Sequence, residues 1–171
     1  MKILYGTNEH FYSKLHRKLV NEPFTHVGLL FFSGSLNIVL DCTKPYSKVY
    51  HLEHWRTKYK ILETQELSLP KVKETKYYKK AVNYCLLKPY DWGAYIWAWL
   101  WVIKRIFTKE DFPTMNPWRT DGLWCTEVVF PLIEDLKEDF GIDLSNIDLA
   151  AKTPYMLFNI IKEILDEDKA V

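Results

Sequence analysis

One cysteine in the sequence stands where a thiol could attack a carbonyl group. Cys125 follows a loop that contains Gly122, and the residues after it, 126–129, favour a helix. The unpaired N–H groups at the start of a helix stabilise a thiolate, and they can also bind the oxyanion formed during attack on a carbonyl. Cys125 is therefore a candidate nucleophile; the alternative is an inert buried residue, a common place for a free cysteine.

A histidine and an aspartate lie on the two strands of the clearest hairpin in the sequence. Residues 25–32 and 35–42 are rich in branched and aromatic side chains and meet at Ser33-Gly34, as expected for paired strands. A two-residue loop there places His26 opposite Asp41, with Cβ atoms about 5 Å apart, and a slip by two residues keeps both on one face. Such a carboxylate would fix the imidazole tautomer and stabilise its protonated form. The alternative is two ordinary polar residues on a sheet surface.

The rest of the chain predicts the elements that must hold these three side chains in place. Short strands are predicted beside the hairpin at 3–5, at 49–52 and at either 59–63 or 65–67. Apolar side chains at helical spacing predict helices in four segments: 8–20 with Phe11, Leu15 and Leu19 facing inward, 72–87, 125–140 with a bend at Pro131, and 154–165. Together these elements predict an α+β fold in which a small antiparallel sheet packs against helices.

The segment 94–107 is the most aromatic part of a chain that has seven Trp and eleven Tyr residues. Its uncharged stretch is shorter than the roughly 20 apolar residues needed to cross a bilayer, so a buried or lid helix is predicted. Tryptophan side chains and the basic pair Lys104-Arg105 also suit lipid headgroups. Contact with a membrane surface through 94–107 is therefore the alternative.

Composition limits the classes of protein to which the chain can belong. Its 171 residues, 48% of them hydrophobic and 26% charged, suffice for one globular domain. A net charge of +1 gives no sign of nucleic-acid binding. The three cysteines cannot all pair, and the N-terminal residues do not resemble a signal peptide. These features predict a cytoplasmic protein with a reduced thiol, and a virion or a host cell is the alternative place of action.

Histidine and cysteine spacings give no indication of a metal site or of another cofactor. His51 and His54 are too close for an HExxH motif, and Cys42 completes no zinc-binding pattern with them. The remaining histidines and cysteines are expected in ordinary packed or solvated positions: Cys42 and Cys85 among apolar residues, His10 and His16 on the polar side of the first helix. We therefore expect neither a metal nor a cofactor.

Four short motifs carry a resemblance to a known family. In chain order they are Thr25-His26-Val27-Gly28-Leu29, the acidic Asp41 ending the next strand, Pro89-Tyr90-Asp91-Trp92, and Trp124-Cys125-Thr126-Glu127-Val128-Val129. This order resembles the permuted branch of the NlpC/P60 superfamily, the YiiX-like and poxvirus-type proteins related to lecithin retinol acyltransferase, in which the histidine strand precedes the cysteine helix. Segment 152–157 also resembles the family's closing segment. Thr126 replaces the usual serine, and Asp41 stands where glutamate is common.

The resemblance implies a single permuted NlpC/P60 papain-like domain over 1–171, with a Trp-rich helical insertion at about 94–120. It implies that Cys125 is the nucleophile and that His26 is its base, with Asp41 orienting the imidazole. Three further residues are expected to line the cleft: Tyr90, Asp91 and Trp124.

The implied function is a cysteine-dependent hydrolase that cleaves an amide bond through a thioester intermediate. Peptide or isopeptide bonds, including those of bacterial cell-wall peptides, are the first expected substrates. Lipid acyl groups, either hydrolysed or passed to an acceptor, are the alternative. A third hypothesis is a non-catalytic structural or binding module, for example of a virus. The expected partners are thus a peptide, peptidoglycan or lipid substrate and no nucleic acid.

Overall fold

Five antiparallel strands form the sheet that contains the predicted hairpin. The computed structural model describes residues 1–33, 36–108, 110, 113–118 and 120–167. The strands are β1 (Lys2–Thr7), β2 (His26–Ser33), β3 (Leu36–Asp41), β4 (Lys48–His51) and β5 (Lys60–Glu66). Their spatial order is β4-β3-β2-β1-β5, so the hairpin strands β2 and β3 lie inside the sheet rather than at its edges.

Helices pack on both faces of this sheet. The α-helices within the described residues are α1 (Phe11–Val20), α2 (Leu52–Lys58), α3 (Lys71–Cys85), α4 (Trp92–Thr108), α5 (Ile133–Phe140) and α6 (Pro154–Glu167). Two 3₁₀ helices join them: Cys125–Leu132, which we call the Cys125 helix, and Leu149–Ala151. The predicted α+β class is confirmed.

Alternate residues of each strand bury opposite faces of the sheet, because successive side chains of a strand point to opposite sides. Ile3 and Tyr5 of β1 belong to the main core, whereas Leu4 between them lies in a smaller core beneath α2. The main core also contains Val128 and Val129. Burial of such side chains stabilises the fold by roughly 1.5–3 kcal/mol each, so the Cys125 helix is held firmly against the sheet.

The hairpin pairs in a register that differs from the predicted one. Leu29 of β2 lies opposite Leu40 of β3, whereas the predicted loop would have paired Leu29 with Ile38. The predicted turn residue Gly34 lies outside the described residues. The slip of two residues does not exchange the faces of the sheet, so the predicted histidine and aspartate still share one face.

The short helix α2 has no counterpart in the sequence prediction. A strand was expected to run to Leu52, but β4 ends at His51 and α2 begins at Leu52. The helix covers the smaller core with three buried side chains: Leu52, Trp55 and Tyr59 at its end. The last strand was expected in one of two short segments, and β5 spans most of both.

Helix α1 packs through only part of the predicted face, since Leu19 contacts a small core and Phe11 does not. Phe11 was expected to face inward but is 70% exposed. Tyr12 and His16 instead approach the ring of Trp99 in α4, with centroids 6.2 and 6.1 Å away. The expectation that His16 is solvated is therefore wrong, because the Trp-rich helix covers it.

The predicted helix over 125–140 is divided at the proline. The Cys125 helix contains Pro131, and the regular α5 starts only at Ile133. Proline lacks an N–H donor and its ring disfavours a continuous α-helix. Gly141 then ends α5 with a left-handed φ of 67°, as glycine favours. The predicted end of the helix at Phe140 is confirmed, and the chain changes from a 3₁₀ helix to an α-helix just after Pro131.

The Trp-rich segment forms α4, which is buried on one side only. Trp97 and Val102 pack inward, whereas a row of apolar side chains on the other side is 47–82% exposed: Trp92, Ile96, Leu100, Ile103 and Phe107. Across the described ranges, no helix combines the length and apolar character required of a membrane span. Within 94–120, residues 109, 111, 112 and 119 lie outside the described residues, and the status of this segment as an insertion stays a prediction.

Candidate active site

The side chains of Cys125, His26 and Asp41 meet where three elements end or begin. His26 opens β2, Asp41 closes β3, and Cys125 opens the Cys125 helix. The Nε2 atom of His26 lies 2.5 Å from Oδ1 of Asp41, and Cys125 lies close enough to the same imidazole to help raise the pKa of His26. Because Asp41 engages Nε2, Nδ1 is the ring nitrogen left to take a proton from sulfur.

The carboxylate of Asp41 is fixed through both of its oxygens. Its Oδ2 accepts a hydrogen bond of 3.0 Å from the indole Nε1–H of Trp55, while Oδ1 holds the imidazole. Gly28 lies next to this indole: a Cβ at Gly28 would be 3.4 Å from Cζ2 of Trp55, an ordinary contact, but only 2.9 Å from Cγ1 of Val39. The glycine of the His-Val-Gly motif therefore leaves room for the side chain of Val39 on the neighbouring strand.

Tyr59 fixes the plane of the histidine ring. The two rings stack with centroids 4.3 Å apart and an interplanar angle of 4°. Tyr59 in turn contacts Trp55, with centroids 4.8 Å apart. The aromatic pair at the end of α2 thus restrains both His26 and its carboxylate partner.

The protonation of His26 is set by two opposing effects. Burial lowers the pKa of His26, because an imidazolium is poorly solvated inside a protein. The negative charge of Asp41 opposes this and, with contributions from Tyr59 and Cys125, holds the pKa well above its ordinary value of 6.5. An imidazole in this setting readily accepts a proton and retains it as an imidazolium.

The start of the Cys125 helix is tied down on both sides of the cysteine. Glu127 accepts a 2.8 Å hydrogen bond through Oε2 from the backbone N–H of Trp124, so its carboxylate caps the helix. Thr126 Oγ1 donates a 2.5 Å hydrogen bond to the carbonyl of Leu149. The N–H of Cys125 lies in the first turn, where N–H groups lack intrahelical acceptors, and it can therefore serve as an oxyanion donor.

A pocket of about 90 Å³, which we call the aromatic pocket, opens beside Cys125. Five large side chains form much of its wall: Tyr90, Tyr95, Trp97, Trp99 and Trp124. Three of these belong to α4, so the Trp-rich helix builds one side of the candidate site. The pocket suits an apolar group attached to the carbonyl that Cys125 would attack.

Tyr90 and Trp124 lie where the sequence placed them, beside the cysteine. Their rings are 5.7 Å apart, and the Trp124 indole N–H donates a 3.2 Å hydrogen bond to the carbonyl of Lys152. Burial, and then the charge of Cys125, raise the pKa of Tyr90 well above its ordinary value. Its hydroxyl therefore stays protonated and can donate a hydrogen bond. A role in substrate binding stays a prediction for both residues.

Asp91 does not line the cleft, in contrast to the prediction. Its side chain is fully buried and caps the start of α4, where Oδ1 accepts a 2.8 Å hydrogen bond from the backbone N–H of Ala94. Oδ2 accepts one of 3.1 Å from the N–H of Thr120. Both oxygens serve the backbone, because the unpaired N–H groups at a helix start need acceptors.

Sequence reasoning missed three residues that surround the candidate site. Trp55 and Tyr59 had a signal, since they and Leu52 recur at the i, i+3, i+7 spacing of a helix. Lys44 had none. Its ammonium lies 3.3 Å from the ring centroid of Tyr95, and also over two further rings, those of Trp92 and Tyr90. These contacts join a loop to a distant helix, which no local pattern predicts.

Replacing Trp55 with phenylalanine is expected to lower the reactivity of Cys125 about tenfold. The variant keeps an aromatic ring over Gly28 but removes the N–H that holds Oδ2 of Asp41, and a hydrogen bond to a charged group contributes about 1.5–3 kcal/mol. The rate of Cys125 alkylation measures the effect, with Trp118→Phe at an exposed position as the control. Equal rates for both variants would show that the indole does not position Asp41.

His16 gives the protein a separate pH dependence. Burial lowers the pKa of His16 to about 4, so between pH 6.5 and 4 the unfolded chain binds a proton that the folded chain does not. Stability is therefore retained above pH 6.5 and lost as the pH falls towards 4. Urea unfolding at pH 7.5 and 4.5 should show about 2.5 kcal/mol less acid destabilisation in His16→Gln than in the parent protein. An identical pH dependence in the two proteins would contradict this assignment.

Comparison with known proteins gives a likeness of fold. No family model and no curated protein matches the sequence. Among solved structures, the chain is similar to the metalloprotein YiiX of Escherichia coli O157:H7, with a TM-score of 0.52 and 18% sequence identity. The match covers 95% of this chain and 79% of YiiX. It confirms the predicted YiiX-like fold.

YiiX is described as a metalloprotein. This raises the question of whether side chains of the present chain could bind a metal. In the parts of the chain that the structure describes, no group of three or more His, Cys, Asp or Glu side chains could hold a metal ion. At the candidate site, Asp41 is committed to His26 and Trp55.

Proposed function

We propose that this protein is a cysteine-dependent hydrolase of the permuted NlpC/P60 type, acting on an amide or ester carbonyl through a thioester at Cys125. The observation that carries the proposal is the convergence of three side chains, in which His26 is hydrogen-bonded to Asp41 and Cys125 lies beside His26. A nucleophile, a base and a group that orients the base are what thiol-based acyl transfer requires.

In the proposed reaction His26 first accepts a proton and then donates it, and Cys125 is first acylated and then restored to a thiol. His26 takes the thiol proton of Cys125 at Nδ1, and the sulfur attacks the carbonyl carbon while the Cys125 N–H binds the developing oxyanion. The imidazolium then gives its proton to the departing nitrogen or oxygen, which leaves a thioester. Water, activated by the same imidazole, releases the acid and restores the thiol. Asp41 stabilises the imidazolium throughout.

Two substrate classes follow from this chemistry. An amide, in a peptide, an isopeptide or a cell-wall peptide, is the first, and it accords with the family that the motifs resemble. The second is a lipid acyl ester, and the aromatic pocket beside Cys125 favours it because that pocket suits an apolar acyl group. A reducing compartment such as the cytoplasm fits both, since Cys125 must stay a thiol.

The outer face of α4 supports contact with a lipid surface. Its exposed row is apolar, and its last turns carry Arg105 and Lys104, of which Lys104 pairs with Glu110 at 2.6 Å; an apolar face with a basic end suits anionic headgroups. We expect Leu100→Glu to reduce binding to anionic phospholipid vesicles at least fivefold in a flotation assay. Val72→Glu, at another exposed apolar position, is the matched control. Equal vesicle binding by the two variants would argue against α4 as the contact.

Parallel incubations test the proposed function. The protein and its Cys125→Ala variant are incubated with muropeptides and with phospholipids, and products are identified by mass spectrometry. Product from the parent protein alone, together with an acyl adduct on Cys125 that hydroxylamine removes, is the expected result. Absence of product and of adduct with every substrate would favour a non-catalytic binding or structural module instead.

A further inference from the structure

A buried asparagine lies in the segment that joins α4 to the Cys125 helix. Asn116 is 6% exposed, whereas Met115 and Trp118, close to it in the chain, are 71% and 50% exposed. A polar side chain is rarely buried unless it is hydrogen-bonded. The burial of Asn116 therefore indicates that its amide makes specific contacts with the rest of the fold.

The hydrogen bonds of Asn116 connect its loop to a segment far along the chain. Its Oδ1 accepts a 2.8 Å hydrogen bond from the backbone N–H of Trp118, which fixes the turn locally. Its Nδ2 donates one of 3.3 Å to the carbonyl of Ala150, and its backbone N–H donates one of 2.8 Å to Oδ2 of Asp148. We call the two long-range contacts the Asn116 clasp.

Asp148 both shapes the clasped segment and attaches it to the loop. Its Oδ1 accepts a 3.1 Å hydrogen bond from the backbone N–H of Ala150 and so caps the 3₁₀ helix Leu149–Ala151. Its Oδ2 takes part in the clasp. Residues 149–152, which we call the supporting turn, are therefore held in shape by one oxygen and in place by the other.

The supporting turn holds the chain on both sides of Cys125. The carbonyl of Leu149 accepts the 2.5 Å hydrogen bond from Thr126 Oγ1, and Thr126 is fully buried. The carbonyl of Lys152 accepts the 3.2 Å hydrogen bond from the indole N–H of Trp124. The residues immediately before and after the candidate nucleophile are thus both tied to the turn that the clasp fixes.

The position of the supporting turn bears on the geometry of the candidate catalytic pair. Three of its residues, Ala150, Ala151 and Lys152, also line the aromatic pocket next to Cys125. A shift of the turn would move the sulfur and the backbone N–H of Cys125 relative to the imidazole of His26. Because reacting groups must be aligned, a displacement of about 1 Å lowers a reaction rate by up to about 10²-fold.

We infer that Asn116 is a positioning residue: its clasp on the supporting turn aligns the thiol of Cys125 with His26. The inference rests on the proposed function for the roles of Cys125 and His26. Because α4 leads directly into the loop that holds Asn116, the Trp-rich stretch both builds a wall of the aromatic pocket and fixes the nucleophile.

Two substitutions weaken the clasp from opposite sides. Asn116→Ala removes the amide, whereas Asp148→Ser keeps an oxygen for the cap of the supporting turn and removes the one that binds Asn116. Iodoacetamide labelling of Cys125 is measured at pH 6 and at pH 9, and the ratio of the two rates cancels changes in access to the sulfur. We expect this ratio to fall roughly threefold to tenfold in each variant, because a misaligned imidazole favours the thiolate less.

Tyr77→Phe is the matched control for a loss of stability without a loss of alignment. It removes a 2.9 Å hydrogen bond from a side chain to a distant carbonyl, that of Asp135, which joins α3 to α5. The ratio of labelling rates should stay at the value of the parent protein. An unchanged ratio in Asn116→Ala and Asp148→Ser, or an equal fall in Tyr77→Phe, would overturn the inference.

Hydrogen exchange separates failure of the inference from failure of the proposed function. Exchange of backbone amides is followed by mass spectrometry in peptides that cover residues 123–129. Exchange at least fivefold faster in Asn116→Ala and Asp148→Ser, but not in Tyr77→Phe, supports the clasp even if the thiol of the parent protein labels like a free cysteine, which would contradict the proposed function alone. Unchanged exchange in this segment would overturn the inference whatever the reactivity of Cys125.

Discussion

Replacement of Cys125 with alanine is expected to reduce substrate cleavage at least a thousandfold, to the rate of the uncatalysed reaction. The thiol is the only group in the proposed reaction that becomes covalently bonded to the substrate, and its removal also prevents the thioester that divides the reaction into two easier steps. The measurement is product release in the assay that first detects activity, followed by mass spectrometry of the protein for the acyl adduct.

The alanine variant should otherwise keep its structure, because Cys125 lies at the first position of its helix and the change removes one sulfur atom. Cys85→Ala is the matched control: it removes a thiol from the main core, where Cys85 is fully buried, and should keep the activity. Undiminished cleavage by Cys125→Ala would remove Cys125 from the mechanism.

Replacing Asp41 with asparagine is expected to lower cleavage about a hundredfold or more. The side chain keeps its shape and an oxygen for the Trp55 indole, but the negative charge next to His26 disappears. The pKa of His26, which that charge raises against the effect of burial, then falls. The imidazole becomes a weaker base and its protonated form is no longer stabilised.

The pH dependence of the Asp41→Asn variant distinguishes this electrostatic role from a purely structural one. A protein damaged only in packing would lose activity equally at every pH, whereas loss of the carboxylate charge moves the limb of the pH profile that reports His26 to lower pH. Asp143→Asn, which removes a carboxylate paired with Lys137 at the surface, serves as the control. An unshifted profile in Asp41→Asn would contradict the role assigned to Asp41.

The sequence predicted the fold class and the proximity of His26 to Asp41, because both depend on local periodicity. Strand alternation places residues on faces whatever the register, which is why an error of two positions in the hairpin did not separate the pair. The start of a helix at Cys125 followed from an equally local pattern. The residues whose positions are set by a strand or a helix start were therefore the most predictable.

The surroundings of the site were less predictable, since they depend on packing between distant segments. The spacing of Leu52, Trp55 and Tyr59 could have indicated helix α2, but the hydrogen bond of Trp55 to Asp41 appears only once α2 lies on the sheet. Asp91 illustrates the opposite error: its motif suggested a cleft residue, but the unpaired N–H groups of α4 take both of its oxygens. The contact of the Lys44 ammonium with the Tyr95 ring forms only because the loop that contains Lys44 meets α4, which lies far along the chain.

Alkylation of Cys125 tests the central claim most directly, because it requires no substrate. Labelling by iodoacetamide is followed across pH 5–9 by peptide mass spectrometry, with N-acetylcysteine as the reference thiol and His26→Ala as the variant. That variant opens space beside the sulfur, so slower labelling would not reflect poorer access. We predict that at pH 6 Cys125 reacts at least tenfold faster than N-acetylcysteine, and that His26→Ala removes this advantage. Labelling that follows the pH profile of N-acetylcysteine and is unchanged in His26→Ala would contradict a catalytic Cys125–His26 pair.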